Sequence, residues 1–126
     1  MQDYPKAIGP YSAYRVAGGF LYASGQIPLN PQSGEVVSGG IKEQTQRALK
    51  NVWAILKENG LDFGSVVKTA VFLADMNDFG EMNEIYAKFF STPYPARSAV
   101  AVKELPKGVL VEIEIVAYKG GKQWKS

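Results

Sequence analysis

Histidine and cysteine are both absent from the 126 residues. Together those absences exclude disulfides, thiol nucleophiles, Ser-His-Asp triads, Cys/His zinc sites and imidazole general bases. Any chemistry must come from Arg, Lys, Asp, Glu, Tyr, Ser, Thr, backbone groups or bound water. Also missing is an apolar run near the ~20 residues that span a bilayer. Residues 1–6 carry two charges and a proline and offer no apolar signal core, so a cytoplasmic protein without a membrane partner is expected. Excess charge of one sign is lacking as well. Fourteen basic and 12 acidic residues leave +2, too balanced for the electrostatic footprint of a nucleic-acid binder. The surplus sits at Lys119, Lys122 and Lys125, where a solvated basic tail (119–126) is expected.

What is present suits one domain over 1–126. A chain of this length can bury roughly two-thirds of its unfolded surface, and 46% hydrophobic composition supplies one core. No repeat, linker or low-complexity block interrupts it. Residues 13–16 and 20–24 flank Ala17-Gly18-Gly19, the pattern of a hairpin. A turn over 30–34 leads to a short strand at 35–37. Residues 41–59 predict a helix: Ile41, Thr45, Ala48, Leu49, Val52, Ile55 and Leu56 share one face, and Gly60 stops it. Residues 65–74 predict a buried strand. Asp78 with Glu81 has the form of a capping box for a second helix, with Phe79, Met82, Ile85, Tyr86, Phe89 and Phe90 as its core stripe. Pro93 and Pro95 end that helix, and strands at 97–103 and 109–118 follow, separated by a turn at 106–108. The expected class is α+β, in the order β-β-β-α-β-α-β-β, with two helices on one face of a mixed sheet.

The last strand carries a consequence for assembly. Alternation puts Val109, Val111, Ile113 and Ile115 on one face and Leu110, Glu112, Glu114, Val116 and Tyr118 on the other. If the first set meets the helices, the second is too apolar to be left wholly in water. A second copy of the chain is the simplest cover.

Several polar residues are candidates for chemistry. Arg97 opens a strand behind a proline-stiffened segment, where its planar fork can be aimed at a carboxylate. A salt bridge with Glu112 or Glu114 would account for it equally well. Glu112 and Glu114 lie on the covered face, where carboxylates either find partners across the interface, such as Lys103 or Arg97, or acquire shifted pKa values useful in acid–base work. The ion pair is the expectation for Glu114; for Glu112 both remain open. Gly25 allows close backbone approach, and Ser24 and Tyr11 offer hydroxyls, although turns explain both segments. Asn83 either reaches a site or faces solvent. Gly39-Gly40 lacks the phosphate-loop pattern, and no metal-ligand cluster stands out.

Taken together, residues 7–11 (Ala-Ile-Gly-Pro-Tyr), 24–28 (Ser-Gly-Gln-Ile-Pro), 77–79 (Asn-Asp-Phe), 95–98 (Pro-Ala-Arg-Ser) and 105–107 (Leu-Pro-Lys) leading into 111–114 (Val-Glu-Ile-Glu) resemble the RidA/YjgF reactive-intermediate deaminase family. The resemblance runs from about Ala7 to Tyr118. It implies a fold like that of chorismate mutase and a homotrimer with active sites in the clefts between subunits. It also implies hydrolysis of 2-imino acids such as 2-iminobutanoate and 2-iminopropanoate to 2-keto acids, without a cofactor. By the same resemblance Arg97 binds the substrate carboxylate and Glu112 positions the attacking water. Tyr11 and Ser24 face them across the cleft, with Gly25 beside the serine and Asn83 lining the pocket. Ala99 departs from the cysteine that many relatives carry, so no thiol-dependent role is expected; imine hydrolysis needs none. The rival is a small-ligand-binding regulator or holdase using the same cleft. An endoribonuclease ranks last, because histidine and a basic-aromatic stripe are lacking.

Overall fold

Gly18 and Gly19 both adopt positive φ, 59° and 84°. A two-residue primed turn demands that pair, and here it joins β1 (Tyr14–Ala17) to β2 (Phe20–Gln26). The structure is a computed structural model that describes residues 2–120. After β2 come α1 (Ile41–Glu58), β3 (Val66–Leu73), α2 (Phe79–Tyr86), β4 (Ala96–Ala101) and β5 (Val111–Tyr118). The sheet order is β1-β2-β5-β3-β4. Neighbours are antiparallel except β3 and β4, which α2 joins as a crossover and which therefore run parallel. The α+β class, with a mixed sheet and two helices on one face, is as expected.

Helix α1 forms as its spacing predicts. Ile41, Thr45, Ala48, Leu49, Val52, Ile55 and Leu56 are all buried. The Glu43 carboxylate accepts from the Gly40 N–H at 2.9 Å, and Gly60 turns the chain away at φ 71°. Val109, Val111, Ile113 and Ile115 lie against the helices at 1% exposure or less. Glu112, Glu114, Val116 and Tyr118 occupy the other face, where Tyr22, Val100 and Tyr118 each remain 48% exposed.

Three expectations are corrected. The strand at 35–37 is reduced to one bridge, Leu29 with Val36, so the described sheet has five strands. The Asn30 carboxamide takes the N–H groups of Gln32 and Ser33 into a tight turn, and Pro28 and Pro31 have no N–H to offer a ladder. At α2, Asp78 is already helical and its side chain caps nothing. The capping carboxylate is Asp75, which accepts from Asn77 N–H at 2.9 Å in a preceding 3-10 turn. The helix then stops at Tyr86, yet Phe90 beyond its end is still buried and stacks on Tyr86 at 4.4 Å. Most of the expected basic tail lies outside the described residues. Its first residue, Lys119, is not freely solvated: its N–H donates to Gly19 O at 2.7 Å and its ammonium approaches Asn59 Oδ1 at 3.4 Å. No helix among the described residues is long and apolar enough to cross a membrane.

Candidate functional site

A register shift in β2 builds the first half of the site. Ala23 pairs with Ile115 and Gln26 with Ile113, so Ser24 and Gly25 together oppose the single residue Glu114. Such a bulge re-aims the local backbone. Gly25 thereby comes hard against Glu112. A Cβ on Gly25 would sit 2.7 Å from the Glu112 carboxyl carbon and closer still to Oε2, so any larger residue there would push the Glu112 carboxylate aside. Half-buried Glu112 has its pKa raised above the ordinary carboxylate value, first by burial and then by the charge of Glu114.

The N-terminal segment covers this corner. The Ser24 hydroxyl donates to Ser12 O at 2.6 Å and the Ser24 N–H donates to Ala13 O at 2.9 Å. Its proton is thus committed to holding that segment, which leaves the oxygen as an acceptor. Between segment and sheet lies a small cavity of about 50 Å³, with Ile8, Tyr11 and Ala13 on one wall and Gly25, Gln26 and Ile27 on the other. Asn51 fixes the second wall by donating to Ile27 O and Leu29 O, both at 3.1 Å.

The second half is built on β4 and α2. Arg97 pairs with Thr69 in register, and its guanidinium lies over the rings of Tyr86 (4.7 Å) and Phe79 (5.4 Å). One guanidinium nitrogen donates to Asn83 Oδ1 at 2.7 Å. Tyr86 is itself fixed, its hydroxyl 2.9 Å from Thr69 Oγ1. The fork therefore rests on an aromatic platform with one nitrogen engaged and its remaining donors unclaimed among the described residues. It stands at a cavity of about 490 Å³ shared with Asn83, Tyr94 and Pro95.

Within one chain the structure brings Gly25 against Glu112, with Ser24 beside it in the bulge and Tyr11 across a cavity from Gly25, and separately joins Arg97 and Asn83. It does not bring the two sets together. Glu112 pairs with Phe72 and Arg97 with Thr69, so they stand three residues apart along β3 and on opposite sides of it. That is about 10 Å along the strand and about 10 Å across the sheet. The salt bridge left open by the sequence does not form. Among the described residues of the single chain the only ion pair is Lys42–Glu84. Sequence reasoning missed Tyr86, Phe79 and Tyr94. The first two fall on the stripe assigned to the core; the signal was a tyrosine in that stripe, since a buried hydroxyl needs a partner.

The family model described as Endoribonuclease L-PSP matches residues 1–119. A human 2-iminobutanoate/2-iminopropanoate deaminase is 53% identical over 116 residues, covering 92% of this chain and 85% of its own. The chain belongs to the RidA/YjgF family. Among its relatives in that family, a Lactococcus lactis protein bearing the regulator name AldR is 55% identical over 115 residues, 91% of each chain. The crystal structure of E. coli TdcF with bound serine matches with a TM-score of 0.89 at 43% identity, covering 95% of this chain and 96% of that one. RidA/YjgF relatives thus share this fold under the names of deaminase, regulator and ribonuclease, so the reaction has to be read from the site.

Proposed function

We propose that this RidA/YjgF chain hydrolyses 2-imino acids, 2-iminobutanoate and 2-iminopropanoate among them, to 2-keto acids and ammonia in a cleft between two copies of itself. The observation that carries this proposal is that, among the described residues, neither Arg97, steered by Asn83, nor Glu112, packed over Gly25, has an ionic partner. Arg97 binds the substrate carboxylate through its free donors, which fixes the C=N carbon relative to the opposing half-site. Glu112 accepts a proton as water adds to the iminium carbon, giving a carbinolamine. The proton then passes to the amino group, the C–N bond breaks, and the keto acid and ammonium leave. Tyr11 and Ser24 complete the hydrogen bonds around the attacked carbon. No step calls for a cofactor. Trapping residual imine with semicarbazide while an amino-acid oxidase supplies it measures this turnover. Stoichiometric binding with no product would favour a ligand-binding regulator instead.

The exposed sheet face, with Tyr22, Val100 and Tyr118, is the surface on which a second copy docks, and a closed trimer satisfies all copies alike. Mixing two inactive variants tests both the partition and the assembly. Glu112→Gln chains keep Arg97, and Arg97→Ala chains keep Glu112. If each site takes one residue from each of two copies, every mixed trimer regains one of its three sites. Random reassembly then restores about a quarter of wild-type activity. No recovery after exchange of subunits would place both residues' work within one chain.

Gly25→Ala is expected to lower kcat by ~10²-fold, because the added methyl group displaces the Glu112 carboxylate with which it would overlap. KM should change little, since Arg97 lies in the other half-site. Wild-type kcat in a folded Gly25→Ala protein would detach Glu112 from the reaction.

A further inference from the structure

Far from Arg97, two tyrosines share one carboxylate oxygen. Tyr4 Oη donates to Glu58 Oε2 at 2.9 Å and Tyr14 Oη donates to the same atom at 2.6 Å. Their rings meet edge to face, 6.4 Å apart at 69°. Glu58 is the last residue of α1, Tyr14 the first of β1, and Tyr4 is buried against the core at 7% exposure. Both hydroxyls are pushed up in pKa, Tyr4 chiefly by burial and Tyr14 chiefly by its bond to Glu58, while the two bonds hold Glu58 below its ordinary value.

Residues 5–13 run between the two tyrosines and form one wall of the small cavity beside Gly25. Their single internal backbone bond is Tyr11 N–H to Gly9 O. Among the described residues, residues 5–11 make no hydrogen bond to the rest of the chain; Ser24 grips only Ser12 and Ala13, at the far end. The near end is therefore held by buried Tyr4, with Gln32 Nε2 donating to Gln2 O at 3.3 Å just upstream of it. We infer that Tyr4, Tyr14 and Glu58 are positioning residues: a clamp that closes the 5–13 segment at both ends and thereby sets Tyr11 against the Glu112 half of the site. The functional part of this inference rests on the deaminase proposal above; the mechanical part does not.

Holding both ends of a segment restricts the conformations open to its middle. Releasing one end should leave Tyr11 attached but poorly aimed. Glu58→Ala and the double variant Tyr4→Phe with Tyr14→Phe are expected to lower kcat for 2-iminobutanoate roughly 10-fold. KM should stay within about twofold, because carboxylate binding belongs to Arg97. Glu58→Gln keeps a carbonyl oxygen that can accept both hydroxyls and should retain most of the activity. Hydrogen exchange should rise at the Tyr11 amide, bonded to Gly9 O, and at the Ser24 amide, bonded to Ala13 O, in the two releasing variants, with α1 still protected. Unchanged exchange in those amides would overturn the clamp. So would an equal loss in Glu58→Gln and Glu58→Ala, or a rise in KM matching the fall in kcat. Faster exchange in a protein whose wild type turns over no imine would support the clamp and overturn the deaminase proposal.

Discussion

Glu112→Gln is expected to cut kcat for 2-iminobutanoate by ~10²–10⁴-fold while the protein stays folded, the usual contribution of a positioned acid–base group. Glutamine fills the same volume over Gly25, so the backbone approach there survives. What it loses is the ability to take a proton from water. Burial and the nearby charge of Glu114 raise the pKa of Glu112 above its ordinary 4.5, so the carboxylate ionises later than an exposed one. The ionised form is the base; kcat/KM should therefore rise with pH through that raised value and flatten above it. Glu114→Gln removes the second cause of the shift and should move this limb to lower pH. Stability has the opposite sign. A folded-state pKa above the unfolded one favours folding below the unfolded value, and that advantage is lost as pH rises through the folded value. Glu112→Gln removes the titration, so at neutral pH the variant should unfold at the wild-type temperature or higher. Low activity with undiminished thermal stability identifies lost chemistry. Full activity in Glu112→Gln would reject the role.

Part of this site was legible because it depends on local periodicity. Alternation along β5 sorted Val111, Ile113 and Ile115 from Glu112 and Glu114 correctly, and with them the face on which Tyr22, Val100 and Tyr118 stay half exposed. Spacing of 3.6 did the same for α1. The short strand at 35–37 was misjudged because a turn pattern predicts that chain reverses, not that both arms reach a sheet. Asp78 was misjudged because Asp75, three residues earlier, competes for the same capping role. The distance between Arg97 and Glu112 was not legible at all. It follows from β3 being inserted between β4 and β5, a non-local pairing that no window of sequence contains. The Tyr86 platform was hidden for a related reason: one stripe on α2 serves the core with its buried edge and Arg97 with a ring face.

Arg97→Lys should raise KM about 10- to 100-fold with kcat changed far less, the loss of about one charge-assisted hydrogen bond worth ~1.5–3 kcal/mol. Lysine keeps the charge but neither the fork nor the flat face that rests on Tyr86 at 4.7 Å. Asn83 occupies one guanidinium nitrogen at 2.7 Å, which turns the remaining edge toward the cavity; a carboxylate can meet that edge with both oxygens. An ammonium on a flexible stem has no such edge, so it offers attraction without orientation. Asn83→Ala should show a smaller rise in KM, since the fork survives but can rotate over the rings. Arg97 is exposed, so thermal stability should hardly move in any of these variants. An unchanged KM in Arg97→Lys would make Arg97 a structural residue resting on α2. A KM that rises in Arg97→Lys and less in Asn83→Ala would instead assign geometry, rather than charge alone, as the means by which the carboxylate is held.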